Sequence, residues 1–97
     1  IGTYNFNNYT YTNYKFVKGT YGSPAAITIT ISPSTNHYLN LSIMDSRNHE
    51  PMSNQNNLYC KKRDVITVKD WVHGNIAFYL KFSNAGSTTC KAGFEIE

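Results

Sequence analysis

Hydrophobic and polar positions alternate along much of the chain. In the stretch 75–83, NIAFYLKFS, the residues Ile76, Phe78, Leu80 and Phe82 fall on one side of an extended backbone, and Ala77, Tyr79, Lys81 and Ser83 on the other. That is the period of a half-buried β-strand, so a core strand is expected here. Ile27, Ile29 and Ile31 alternate with Thr28 and Thr30, and beyond the polar link 32–37 the pattern resumes as Leu39, Leu41 and Ile43 against Asn40 and Ser42. The two runs match in length and predict either a hairpin or a crossing to a facing sheet. Near the start, Tyr4, Phe6, Tyr9, Tyr11, Tyr14 and Phe16 nearly alternate, with one slip of phase at Asn7 and Asn8 that a turn or a β-bulge would produce. Further short strands are expected over 58–62 and 65–68, and a last one that places Cys90, Ala92, Phe94 and Ile96 on a single face. Gly19 to Pro24, GTYGSP, reads as a turn. The stretch 45–57, DSRNHEPMSNQNN, has neither period and reads as a long irregular loop, of the length that tends to be functional or disordered. Together these runs predict an antiparallel β-sandwich of about seven or eight strands with almost no helix.

Composition sharpens this picture. At 97 residues the chain makes a single domain near the lower size at which one core sustains itself. Its 8 Tyr and 5 Phe favour pleated, half-buried surfaces. Only 15% of residues are charged, with a net charge of +3, so polarity comes from Asn, Ser and Thr. No dense basic stripe of the kind nucleic-acid binding needs is present, and nucleic acid is not an expected partner. No apolar run approaches the ~20 residues that span a bilayer, and no basic and apolar leader is present. The chain opens at Ile1, which suits a processed mature form or a trimmed chain equally.

The two cysteines, Cys60 and Cys90, can pair only with each other within one chain. A bridge would close a loop of about 30 residues across the 75–83 strand and contribute roughly 3.6 kcal/mol in the chain-entropy model. It would also imply an oxidising compartment, and so a secreted protein; two buried free thiols are the alternative. No Cys-x-x-Cys signature marks either residue as a nucleophile.

Candidate chemistry is sparse. The 45–57 stretch gathers Asp45, Arg47, His49 and Glu50, which raises a metal or acid–base site against a plain solvated loop. Its spacing matches neither an EF-hand loop nor a zinc-protease helix, and no metal or cofactor is expected. The triplet Lys61, Lys62 and Arg63 is a docking point for anionic polymers or a guarded strand end. Trp71 is a stacking residue or a core or capping group. The outward Tyr79 joins the candidate binding positions, and the N-terminal aromatics read as a stacking platform or as ordinary sheet packing. His49, or His73 with Asp70, could serve a hydrolase, although closeness in sequence is not a proton-transfer geometry. Asn8-Tyr9-Thr10 and Asn40-Leu41-Ser42 are formal N-glycosylation sequons.

The order of paired aromatics, ITITISP, LNLSIMD, VITVKD, GNIAFYLKFSN and a closing GFEIE resembles the small β-sandwich domains of exported bacterial proteins, of the pre-peptidase C-terminal kind. The resemblance covers most of the chain as pattern and departs from it in the cysteine pair and the stretch after Asp45. It implies a jelly-roll-like sandwich, export, and a binding or auxiliary role, with no functional residue to carry over. The expected function is a secreted, non-enzymatic module that binds a cell surface, a glycan or a protein through its Tyr-, Asn- and Lys-bearing faces and the 45–57 stretch. The alternative is a small secreted toxin or antimicrobial effector.

Overall fold

The computed structural model describes residues 2–97, so Ile1 lies outside the described residues. Eight strands follow one another as β1 (Gly2–Phe6), β2 (Tyr9–Tyr11), β3 (Pro24–Pro33), β4 (His37–Asp45), β5 (Pro51–Cys60), β6 (Ile66–His73), β7 (Phe78–Asn84) and β8 (Cys90–Ile96). They form two four-stranded antiparallel sheets, ordered β1-β8-β3-β6 and β2-β7-β4-β5. The architecture is a β-sandwich.

The alternation in the sequence is realised as burial. Ile27, Ile29 and Ile31 on β3, Leu39, Leu41 and Ile43 on β4, and Phe78, Leu80 and Phe82 on β7 join one buried cluster between the sheets. Ile76 stands in the turn before β7 rather than on the strand itself. β3 and β4 lie in different sheets, so the link between them is the crossing and not the hairpin. The phase slip at Asn7 and Asn8 is a crossing too, because β1 pairs with β8 and β2 pairs with β7 in the other sheet. The bend is held from outside: Asn84 Nδ2 donates to the Asn7 carbonyl at 2.9 Å, and Thr89 Oγ1 donates to Asn7 Oδ1 at 2.7 Å. A chain that changes sheets must exchange its inward and outward positions, which is why the alternation breaks there.

Two expectations are corrected. Most of the presumed loop 45–57 belongs to β5, which pairs with β4 along its whole length. Its period was hidden because the register breaks twice, between Leu39 and Leu41 and between Ile43 and Met44, and each break shifts the phase. As an edge strand it also carries few apolar side chains. Ser53 Oγ and Gln55 Nε2 instead donate to Asp70 Oδ2 of β6 at 2.6 and 3.2 Å, which closes one side of the sandwich with polar bonds. β6 correspondingly runs on from Ile66 to His73.

The second correction concerns the sulfurs: Cys60 and Cys90 are unpaired thiols, both fully buried. Cys60 ends β5 in one sheet and Cys90 opens β8 in the other. Each thiol turns to a main-chain carbonyl, Cys60 Sγ to Leu58 at 3.9 Å and Cys90 Sγ to Tyr38 at 3.7 Å. Burial, with Cys90 close by, pushes the Cys60 thiol up to about 11, and burial raises Cys90 as well. Thiols held protonated in this way are poor nucleophiles. The core therefore stands without a covalent staple.

Beside the thiols, His37 is buried with both ring nitrogens engaged. Nδ1 donates to the Thr35 carbonyl at 2.9 Å, which leaves Nε2 to accept from the Tyr4 hydroxyl at 3.1 Å. Among the described residues no buried side-chain nitrogen or oxygen lacks a partner. Burial lowers the His37 pKa from its ordinary 6.5, with the Thr35 bond opposing.

Two tests follow from this interior. Neither thiol should react with Ellman's reagent in the native protein, both should titrate on unfolding, and reduction should leave the melting temperature unchanged; a melting temperature that falls on reduction would contradict the unpaired state. Because the unfolded imidazole binds its proton at higher pH than the buried one, stability from neutral His37 is whole above pH 6.5 and is lost as pH falls through the lowered native value. Tyr4→Phe, which leaves Nε2 without a donor, should cost about 1–3 kcal/mol in urea unfolding at neutral pH.

Candidate functional site

At the end of the sandwich where β6 finishes, three pieces of chain enclose a groove of about 430 Å³. The first is the end of β6 itself. Trp71 pairs with Ala26 of β3 and is 61% exposed, while its neighbour Val72 turns inward as part of the floor. The second is the turn before β3. Gly19 and Gly22 take positive φ of 82° and 87°, which closes the turn and leaves Tyr21 projecting, 72% exposed. Gly74 lets this turn dock: a Cβ there would collide with the carbonyl oxygens of Thr20 and Ser23. The third piece is the β4–β5 turn, which contributes Arg47.

Arg47 is fixed by Asp45. Nη2 donates to Oδ2 at 2.7 Å and Nε to Oδ1 at 3.1 Å, while the Arg47 main-chain N–H donates to Oδ1 at 2.8 Å. These bonds, the Arg47 side-chain bond foremost, hold the carboxyl well below the ordinary carboxylate range, at about 2. With both oxygens engaged and the proton excluded, Asp45 is a positioning group for the guanidinium, unsuited to act as a proton acceptor at neutral pH. A fork-bound Arg is planar and immobilised, ready to offer its remaining N–H groups to a ligand. The groove thus combines two exposed aromatic rings, an apolar floor of Val72, Met52 and Ile76, and a guanidinium. Its volume lies within the usual range of small-ligand sites.

The sequence candidates are divided by the fold. Asp45, Arg47 and Trp71 meet at the groove, with His73 on its wall. His49 turns to the other sheet, where its Nδ1 lies 2.9 Å from the Tyr79 hydroxyl. Glu50 is exposed, its amide donating to Asn48 Oδ1. Lys61, Lys62 and Arg63 occupy the β5–β6 turn at the opposite end of β5 from Pro51, and the Lys62 amide donates to Asn36 Oδ1 at 2.8 Å. Asp70 and His73 differ by three positions on one strand and so project to opposite faces. Asp70 receives Ser53 and Gln55, and no His–carboxylate hydrogen bond forms among the described residues. Tyr21 and Met52 were not anticipated. A large aromatic between two turn glycines was the available sign for Tyr21; Met52 lay hidden in the unrecognised β5.

No family model, curated protein or solved structure matches the chain significantly.

The Asp45–Arg47 pair has a defined pH window. Since the folded carboxyl titrates at about 2 and its ordinary value is 3.8, its contribution is complete above pH 3.8 and disappears as pH falls through 2. Hydrogen exchange measured across that interval should show the Arg47 and His49 amides losing protection in the parent protein, whereas Asp45→Asn should show weakened protection already at neutral pH and no such step.

Proposed function

We propose that the chain is a non-enzymatic binding module, acting outside the cell, that recognises a glycan through the end groove. The observation that carries this reading is the pair of aromatic side chains, Trp71 and Tyr21, left largely exposed on either side of an apolar floor and beside an immobilised Arg47. Leaving large rings in water is unfavourable unless a partner covers them, and Trp, Tyr and Arg are the residues that dominate binding energy when it does. A sugar ring suits such a site because its C–H face stacks on an aromatic while its hydroxyls take hydrogen bonds from a guanidinium. The Asp45 carboxylate largely neutralises Arg47, which favours an uncharged ligand in this groove.

The strand order also supports the reading. We read the order β1-β8-β3-β6 facing β2-β7-β4-β5 as jelly-roll-like, in keeping with a likeness to exported bacterial sandwich domains. A surface polar through Asn, Ser, Thr and Tyr rather than through charge is consistent with work at a hydroxyl-rich cell surface. Export now rests on this surface and on the likeness, since the sulfurs form no bridge. Among the described residues no histidine–carboxylate hydrogen bond supports a hydrolytic reading.

Titration of Trp71→Ala and Tyr21→Ala with the soluble cell-wall polysaccharide that scores highest in a glycan screen tests the assignment. Each variant should keep the sheet spectrum of the parent and lose at least about tenfold in affinity. Undiminished binding by both would refute the groove.

A further inference from the structure

The outer face of the sheet β2-β7-β4-β5 carries an independent feature. Tyr9 and Tyr11 on β2, Tyr79 and Lys81 on β7, and the pair Tyr38 and Tyr59 on β4 and β5 occupy positions alternate to the buried ones. Four of these tyrosines, Tyr9, Tyr11, Tyr38 and Tyr59, are between 44% and 58% exposed. Between them lie Asn40, Ser42 and Ser83. The sole carboxylate on any strand of this sheet is Asp45, which is buried and bound to Arg47. An ordinary solvated sheet face mixes charges of both signs. This one is made of Tyr, Asn and Ser, a combination that supplies broad amphipathic contact at low entropic cost together with adaptable hydrogen bonding.

One cation stands in the field. Lys81 Nζ lies 5.4 Å from the ring centroid of Tyr9 and 5.9 Å from that of Tyr11. The rings hold the ammonium by cation–π attraction, and the ion pair formed among the described residues is Arg47–Asp45 alone, so Lys81 meets no protein carboxylate. The aromatic track continues from Tyr11 to Tyr79 at 5.8 Å and from Tyr79 to His49 at 6.0 Å. Tyr9 and Tyr11 stand at 73° to one another, and Tyr11 and Tyr79 at 63°. Rings so tilted make a notched ridge and not a flat plate, which suits one flexible chain better than a crystalline surface.

We propose that this face is a second binding surface, separate from the end groove, for a single polysaccharide chain that carries sparsely spaced carboxylates. Lys81 pairs with one uronate, and Tyr9, Tyr11 and Tyr79 stack against adjoining sugar rings. Charge complementarity selects this occupant. An uncompensated cation asks for an anion, and a lone cation among aromatics asks for an anion of low density. Nucleic acids and heavily sulfated chains need several cations side by side. The Lys61–Arg63 triplet does not supply them, because it belongs to the turn beyond β5 and not to the face.

Hyaluronan oligosaccharides, with a uronate on every second sugar, are the probe, compared by calorimetry with carboxyl-reduced hyaluronan and with heparin. The parent should bind hyaluronan and prefer it to both comparators. Lys81→Gln should weaken binding about five- to tenfold and abolish its salt dependence. Tyr11→Ala should weaken it about tenfold, as loss of one stacking ring does, and Trp71→Ala should leave it unchanged. The proposal is overturned if hyaluronan does not bind, if the carboxyl-reduced chain binds equally well, or if heparin binds more tightly. It is equally overturned if Lys81→Gln has no effect, or if Trp71→Ala removes binding, which would assign the chain to the groove.

Discussion

Two sheets, each apolar on one side, must cover one another, and every other feature of this protein depends on that contact. Ile27, Ile29, Ile31, Leu39, Leu41, Ile43, Phe78, Leu80 and Phe82 form the layer between them. At roughly 1.5–3 kcal/mol for each fully buried large apolar side chain, this layer supplies the main force opposing chain entropy, and no cross-link assists it. Polar groups drawn into the interior are tolerated because each is answered: His37 by Thr35 and Tyr4, Asp45 by Arg47. An unanswered group there would cost as much as one of the aliphatic side chains contributes.

The sides of the sandwich are closed by different means. Where β5 meets β6 the seal is polar, with Ser53 and Gln55 donating to Asp70. Where β1 passes into β2 the seal is the chain itself, bent at Asn7 and Asn8 and held by Asn84 and Thr89. With the interior fully committed to packing, the large exposed aromatic side chains lie at the ends and on the outer faces. The end groove exists because Gly74 admits the Thr20–Ser23 turn and because Asp45 immobilises Arg47. The tyrosine face exists because residues alternate to the buried ones on β2, β4, β5 and β7 point away from the interior and pack only on one another at the surface.

Much of the fold was legible wherever burial imposes a strict period of two. The strands of Ile27–Ile31, Leu39–Ile43 and Phe78–Phe82 could be read directly, because a buried side chain on a pleated strand must recur at every second residue. β5 could not, since an edge strand with two breaks of register and polar contacts to its neighbour leaves no such trace. The cysteines were misread for a related reason. Two cysteines in a small chain invite a bridge, but pairing depends on the relative placement of two side chains from facing sheets, which spacing along the chain does not encode. The site was legible only in parts: Trp71 and Arg47 were singled out, while Tyr21 and Met52 were not.

The sequence by itself determined the class of structure, because inward and outward positions are written into it as alternation and the burial of apolar side chains is a local demand repeated along each strand. Tertiary structure alone decided which strands share a sheet, that the two thiols are unpaired, and that residues as distant as Tyr21, Arg47 and Trp71 border one groove. Those outcomes depend on how two twisted surfaces settle against each other, and that relation belongs to no single segment of the chain.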